Sequence, residues 1–93
     1  MHIKHEGGDS GGKYSALIDD REIGFMTYSR AGDQLIIIDH TDVNKEYKGK
    51  GVGLKLVTAA VENAREDGFK IIPLCPFAKS VFDKDAGLRD VLK

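Results

Sequence analysis

The sequence predicts an α/β protein in which an antiparallel β-meander is followed by one parallel βαβ unit and a short C-terminal helix. Two observations predict this order. Apolar residues alternate or form short continuous runs up to residue 43, and from residue 53 they recur at the spacing of an amphipathic helix. The chain has 93 residues, which is enough for one hydrophobic core and one domain.

The first half of the chain predicts three strands separated by turn residues. Residues 14–18 form a short strand candidate, and residues 22–30 alternate between two faces. Residues 35–38 are apolar and mostly β-branched, which is typical of a strand that is buried on both faces. We expect this third strand to continue to Val43.

The beginning of the chain has a different composition. Residues 1–13 are mostly polar and rich in glycine, which predicts a flexible arm. Its two histidines, His2 and His5, would be held too loosely to fix the geometry of a metal ion, so no metal site is predicted. Residues 14–93 are expected to form the single domain.

The second half of the chain predicts a strand, a helix and a second strand. Apolar residues lie on one face of the predicted helix from Gly53 onward, and Gly68 is the expected helix-ending residue. Residues 69–74 form the next apolar run, and a crossover of this length joins parallel neighbouring strands. A short second helix is expected beyond Pro76, with a tail that packs back onto the domain.

Composition argues against several classes of partner. The formal net charge is −1 and the basic residues are spread along the chain, so no nucleic-acid partner is expected. No apolar run approaches the roughly 20 residues that a membrane helix needs, so no membrane partner is expected. A single cysteine and a start without an apolar segment favour a cytoplasmic location.

The most informative segment is the glycine loop, residues 47–54, between a predicted strand and the predicted long helix. Glycines at alternate positions let the backbone turn tightly and approach a ligand, and interleaved lysines add positive charge. The first N–H groups of a helix have no internal partner and favour an anion, so the loop predicts a pyrophosphate site. The alternative is a turn that only joins strand to helix. The predicted phosphate-binding residues are Lys48, Gly49, Lys50, Gly51, Val52, Gly53 and Leu54.

This loop resembles the acetyl-CoA pyrophosphate loop of the GCN5-related N-acetyltransferases (GNAT), which has the pattern (Gln/Arg)-x-x-Gly-x-(Gly/Ala). Gly51 and Gly53 match its fixed positions, whereas Lys48 stands where Gln or Arg is usual. The order of elements over residues 14–84 is similar as well. The resemblance implies a minimal GNAT-like fold that binds acetyl-CoA and transfers its acetyl group.

The resemblance also implies where the rest of acetyl-CoA binds. In that family the two parallel strands diverge at their C-terminal ends, and the pantetheine arm enters the gap. Pro73 fits a diverging strand because proline cannot donate a ladder hydrogen bond. The backbone near Asp42 and Val43 is then expected to pair with the amides of pantetheine.

Cys75 and His40 are the candidate catalytic residues. Each lies near the C-terminal end of one of the two parallel strands, so their side chains are expected to converge where the thioester would lie. A thiolate is a strong nucleophile and a nearby imidazole can take its proton. Cys75 is therefore predicted as acyl acceptor or thioester neighbour and His40 as its base. The alternative is an inert buried cysteine and a surface histidine.

The segment after the second parallel strand departs from the family pattern. That pattern is commonly Asn-x-x-Ala-x-x-(apolar)-Tyr, and its tyrosine protonates the leaving CoA thiolate. Here Cys75 occupies the asparagine position and Phe82 the tyrosine position, so the hydroxyl is absent. His40-Thr41 and residues 73–76 are similar to sequences of a short acetyltransferase-like subfamily.

Two functions stay open on the sequence alone. One is acetyl transfer from acetyl-CoA to an amine, or through the cysteine thiol, of an unknown small-molecule or protein acceptor. The other is a non-catalytic module or sensor that binds CoA or acetyl-CoA.

Overall fold

A computed structural model describes all residues from 1 to 93 and contains one five-stranded sheet in the order β1-β2-β3-β4-β5. The elements are β1 (His2–Gly7), β2 (Gly11–Ile18), β3 (Arg21–Arg30), β4 (Leu35–Val43), α1 (Val52–Asp67), β5 (Lys70–Pro73) and α2 (Pro76–Lys84). Short 3₁₀ segments span Lys45–Tyr47 and Ala86–Val91. The first four strands pair antiparallel and β4 pairs parallel with β5, which confirms the predicted meander and βαβ unit.

The beginning of the chain differs from the expected flexible arm. His2–Gly7 pairs with β2 along its whole length. The His5 ring stacks on the Tyr14 ring at 4.2 Å between centroids, and its Nε2 atom lies 2.7 Å from the Tyr28 hydroxyl. Composition missed this hairpin because the aromatic residues that hold it lie further along the chain. Most of residues 1–13 therefore belongs to the sheet.

The core lies on one face of the sheet, where both helices pack. Successive side chains of a strand point to opposite faces, and Ile36 and Ile38 of β4 are fully buried with the helices. Leu35 and Ile37 point to the other face and are only half-buried. The expectation that this strand is buried on both faces is therefore wrong. The buried residues of α1 are Val52, Gly53, Leu56, Val57, Ala60, Val61 and Ala64.

The C-terminal half of the fold follows the sequence closely. Gly68 ends α1 in the left-handed conformation, with φ of 79°, and its N–H donates to the Ala64 carbonyl, as predicted for a helix-ending glycine. The tail packs back, since Leu88 and Val91 are buried. No helix of the chain combines the length and the apolar character needed to cross a membrane.

Candidate functional site

A cleft of about 710 Å³ lies between the end of β4, the glycine loop and α2. Of the nine residues predicted to bind the cofactor, only Lys50 is outside its lining. The Lys50 ammonium lies instead 5.8 Å from the centroid of the Tyr47 ring. Thr41 also lines the cleft, next to Asp42 and Val43. The structure therefore brings almost all of the predicted binding residues to one concave surface.

The two parallel strands separate at the edge of this cleft. Pairing between β4 and β5 ends at Ile38 and Pro73, whereas β4 continues to Val43 in pairing with β3. The N–H groups of Leu74 and Cys75 both donate to the Ile38 carbonyl, at 3.1 and 3.0 Å, where the chain turns away. The last part of β4 thus has no strand partner on this side. An extended ligand could pair with that free edge.

Two glycines of the loop are required by backbone conformation. Gly49 and Gly51 both have φ of 79°, in the left-handed region. A Cβ atom on either would meet nothing within 4 Å, so space is not the reason for glycine. Other residues pay roughly 1–2 kcal/mol in this conformation. The loop therefore depends on these glycines for its path.

Gly53 is a glycine for a different reason. Its φ is not positive, and a Cβ atom there would overlap the Phe77 ring. Phe77 lies in the first turn of α2, so a methyl group at position 53 would displace a ring that packs from α2 against α1. The alternate spacing of the three loop glycines predicted that all of them serve the turn and the approach of a ligand. For Gly53, packing between the helices is the structural requirement.

The N-terminus of α1 is open towards the cleft. Gly51 is the N-cap residue and supplies no capping side chain, and the first turn has no acidic residue. The first intrahelical N–H bond of the helix runs from Lys55 to the Gly51 carbonyl, at 3.0 Å. The N–H groups before Lys55 have no partner of this kind, and the residues that carry them line the cleft. Unpaired N–H groups and the positive end of the helix dipole favour an anion here.

Cys75 lies behind the wall of the cleft. It is the N-cap residue of α2, is only 5% exposed, and does not belong to the cleft lining. Its Sγ atom lies 3.6 Å from the Oγ1 atom of Thr41, which does line the cleft. Burial alone would raise the pKa of the Cys75 thiol, but hydrogen bonds with the backbone of Ala78, with the Thr41 side chain and with the backbone of Phe77 outweigh it. The resulting pKa is below the usual value.

His40 does not lie with Cys75. It pairs across from Thr27, and its exposed ring is 6.0 Å from the Phe25 ring on the open face of the sheet. The predicted Cys75–His40 pair is therefore not formed. Thr41 takes the position beside the thiol.

A bulge in β4 explains why Thr41, and not His40, lies beside the thiol. Tyr28 pairs with Ile38 and Thr27 with His40, so Asp39 is an extra residue between them. Strict alternation from the buried Ile38 would place His40 on the core face, and the extra residue reverses that order. The sequence pointed to Thr41 only as the neighbour of His40 in the family resemblance and gave it no role, because one inserted residue in a strand is not visible in its apolar pattern.

Comparison with known proteins fits this geometry. The family described as GCN5-related N-acetyl-transferase matches residues 13–91. The chain belongs to this family. The GNAT chain is also similar to the NMR structure of a GCN5-like protein from Staphylococcus aureus, assigned as an N-acetyltransferase. The two are 36% identical, over 97% of this chain and 87% of that one, with a TM-score of 0.73.

Larger GNAT structures share the fold. A Bacillus anthracis protein assigned as a streptothricin acetyltransferase, solved with acetyl coenzyme A, is 28% identical over 69% of this chain, with a TM-score of 0.59. An Elizabethkingia anophelis GNAT acetyltransferase with bound acetyl-CoA is 21% identical over 67% of this chain, with a TM-score of 0.59, and shows the fold alone. The chain spans 37% and 41% of their lengths. No curated protein sequence matches the chain. Membership of the GNAT family supports acetyl transfer as the general activity of the chain.

Proposed function

We propose that this protein binds acetyl-CoA in the cleft between α1 and α2 and transfers its acetyl group to an amine acceptor. The observation that carries the proposal is the open N-terminus of α1. Its free N–H groups line the cleft without a capping side chain or an acidic residue in the first turn. Each interaction of the helix dipole with a charge contributes about 0.3–1 kcal/mol when exposed, so several must act together on a diphosphate.

The charges around the cleft also support a diphosphate at the glycine loop. Lys48 follows the 3₁₀ turn before α1 and Lys84 ends α2, and both are exposed at the cleft lining. The carboxylates in the lining, Asp42 and Asp85, come from β4 and from beyond α2 rather than from the first turn of α1. An anion therefore finds its favourable position at the glycine loop.

The free edge of β4 supports a position for the pantetheine arm. Asp42 and Val43 line the cleft where β5 has already ended, so their backbone can pair with ligand amides as a strand would. An arm that runs from the glycine loop along this edge ends near Thr41. The thioester would then lie beside the Thr41 hydroxyl, with Cys75 behind it.

A covalent route through Cys75 is the second candidate. The lowered pKa of its thiol favours a nucleophilic thiolate. Its burial, and its position outside the cleft lining, favour direct transfer instead. With no base from His40, the thiol would also need another proton acceptor. A non-catalytic CoA-binding module is the alternative from another functional class, and Phe82, which carries no hydroxyl, is the residue that favours it.

A binding experiment tests the first half of the proposal. Acetyl-CoA, CoA and acetyl-pantetheine, which lacks the pyrophosphate, are titrated while backbone amide NMR signals are followed. We expect acetyl-CoA and CoA to shift the amides of residues 49–54 and acetyl-pantetheine to bind much more weakly. Gly51→Glu should abolish binding. Gly32→Glu is its matched control, because Gly32 is also left-handed with open space around it, yet lies before β4 rather than at its end.

Intact mass and CoA release test the second half. Direct transfer predicts CoA release that depends on an added amine, with no stable acetyl adduct on the protein. An acetyl adduct on the wild-type chain that Cys75→Ala lacks would support the covalent route. Binding without an adduct, and without CoA release over a broad panel of amines, would contradict the enzyme and leave the binding module.

A further inference from the structure

The reaction proposed above leaves a CoA thiolate that needs a proton. Phe82 is 1% exposed and carries no hydroxyl, so it cannot supply one. The end of the cleft at β4 offers the Thr41 hydroxyl, which contacts Cys75. We propose that Thr41 and Cys75 form a proton-donor pair for the departing CoA thiolate. The inference rests on the proposed function.

The geometry gives each residue a distinct part. The Cys75 Sγ atom donates towards the Thr41 Oγ1 atom at 3.6 Å. A hydroxyl that accepts one hydrogen bond can donate its own proton to another atom. Thr41 lines the cleft and Cys75 does not. Thr41 is therefore the catalytic residue, and Cys75 acts through it as a positioning residue and proton reservoir.

The step balances without any further reactant. The amine adds to the thioester carbonyl and forms a tetrahedral adduct. When the carbon–sulfur bond of this adduct breaks, its electron pair stays on the CoA sulfur. The Thr41 hydroxyl gives its proton to that sulfur and takes the proton of the Cys75 thiol. The products are the CoA thiol, an intact Thr41 hydroxyl and a Cys75 thiolate. The acetylated amine releases a proton, and this proton reaches the Cys75 thiolate through water.

The chemistry of the two sulfur atoms supports this direction. Cys75 and CoA both carry thiols, so the proton moves between groups of similar acidity. An alcohol alone is a much weaker acid than the CoA thiol. Hydrogen bonds lower the pKa of the Cys75 thiol, which makes it a ready donor. The remaining thiolate lies at the N-terminus of α2, where free N–H groups stabilise it.

The test begins with Thr41→Val, which keeps the shape of the side chain and removes its hydroxyl. Single-turnover CoA release with a reactive amine should fall about 10²-fold, the usual contribution of a general acid. The Kd for acetyl-CoA should stay unchanged. Thr41→Ser, the matched control, should retain most of the rate. Cys75→Ser gives a second test should the valine variant be unstable, since a serine hydroxyl is a far weaker acid and release should also slow.

A readout without turnover separates this pair from a purely structural contact. The chain has one cysteine, so the ultraviolet absorbance of the thiolate, after subtraction of the Cys75→Ser signal, reports on Cys75 alone. Once the thiol has lost its proton, the Thr41 hydroxyl can donate to the thiolate, so Thr41→Val should raise the pH midpoint of that signal. An unchanged midpoint would contradict the pair.

Three further outcomes would overturn the inference. The first is unchanged CoA release in Thr41→Val with intact binding. The second is an acetyl–Cys75 adduct that forms as fast as CoA is released, because Cys75 would then be the nucleophile. The third is the absence of acetyl-CoA binding by the wild-type chain, which would overturn the proposed function as well and is identified by the Kd.

Discussion

The β1–β2 hairpin and the cleft differ in how they use their polar groups. In the hairpin region His5 contacts the Tyr28 hydroxyl at 2.7 Å, and the Tyr14 hydroxyl donates to Asn63 at 2.8 Å. Every buried side-chain nitrogen or oxygen of the chain has a hydrogen-bond partner. At the cleft, the edge of β4 and the first turn of α1 leave backbone groups free. The hairpin region thus pairs its polar side chains within the protein, whereas the cleft presents free backbone groups on a concave surface, where we propose that ligand binds.

The glycines of the two regions show the same contrast. A Cβ atom on Gly7 or Gly12 would crowd the Tyr28 hydroxyl, at 2.6 Å in each case. Gly49 and Gly51 have open space around them and are needed for their positive φ. Hairpin glycines therefore serve contacts within the protein, whereas the two loop glycines shape a surface. Gly53 lines the cleft but belongs with the first group, because of Phe77.

The largest effect on stability is expected from Gly53→Ala, which tests that assignment. The new methyl group overlaps the far end of the Phe77 ring, which is 42% exposed and can turn partly aside, so we expect a loss of about 1–2 kcal/mol in the free energy of unfolding, the lower part of the range for overpacking. Chemical denaturation measures the loss. The double variant with Phe77→Ala should recover part of it. If the double variant loses as much free energy of unfolding as the two single variants together, positions 53 and 77 do not interact, and Gly53 is not needed for packing against Phe77.

A smaller effect is expected from Tyr14→Phe in the hairpin region. The change removes the hydroxyl that donates to Asn63, and a lost hydrogen bond of this type costs about 0.5–1.5 kcal/mol. Thermal or chemical unfolding measures it, and Kd for acetyl-CoA should not change. An altered Kd would mean that the hairpin region and the cleft are coupled, against the separation described above.

The smallest effect is expected from the pH dependence of His5. Burial, with the nearby Arg30 guanidinium, lowers the pKa of His5 below 6.5, while Asp67 opposes the shift. Near that pH the unfolded chain binds more protons than the folded one, so the free energy of unfolding falls as pH drops through 6.5. Denaturation at several pH values should show a weaker decline in His5→Gln. An equal decline in both proteins would assign the pH dependence to other groups.

Local patterns in the sequence predicted most of the fold. The helical spacing after Gly53 and the stop at Gly68 depend on neighbours in the sequence, and each predicted its element correctly. The alternation of glycine with lysine predicted residues that, except for Lys50, line one cleft, and the pyrophosphate there stays a prediction. The hairpin at the beginning of the chain could not be predicted in this way. Its strand is held by the Tyr14 and Tyr28 rings, which only the folded chain brings to His5.

The candidate catalytic residues were harder to predict because they depend on which face of a strand a side chain occupies. Residues 36 and 38 established that order correctly, and Asp39 then changed it. For the same reason the sequence could predict that Cys75 lies near the end of β4, but not which residue of β4 contacts it. Its actual neighbour is Thr41.

The bulge at Asp39 also makes the end of β4 sensitive to how it is aligned with β3. Removal of Asp39 would restore regular pairing, with Ile38 and His40 opposite Tyr28 and Thr27, and would leave Thr41 beside the thiol. If Asp39 were kept but paired regularly with Thr27, every later residue would change face, and His40 would turn inward in place of Thr41. The alignment of this one strand pair, with no residue changed, thus decides which side chain stands beside Cys75.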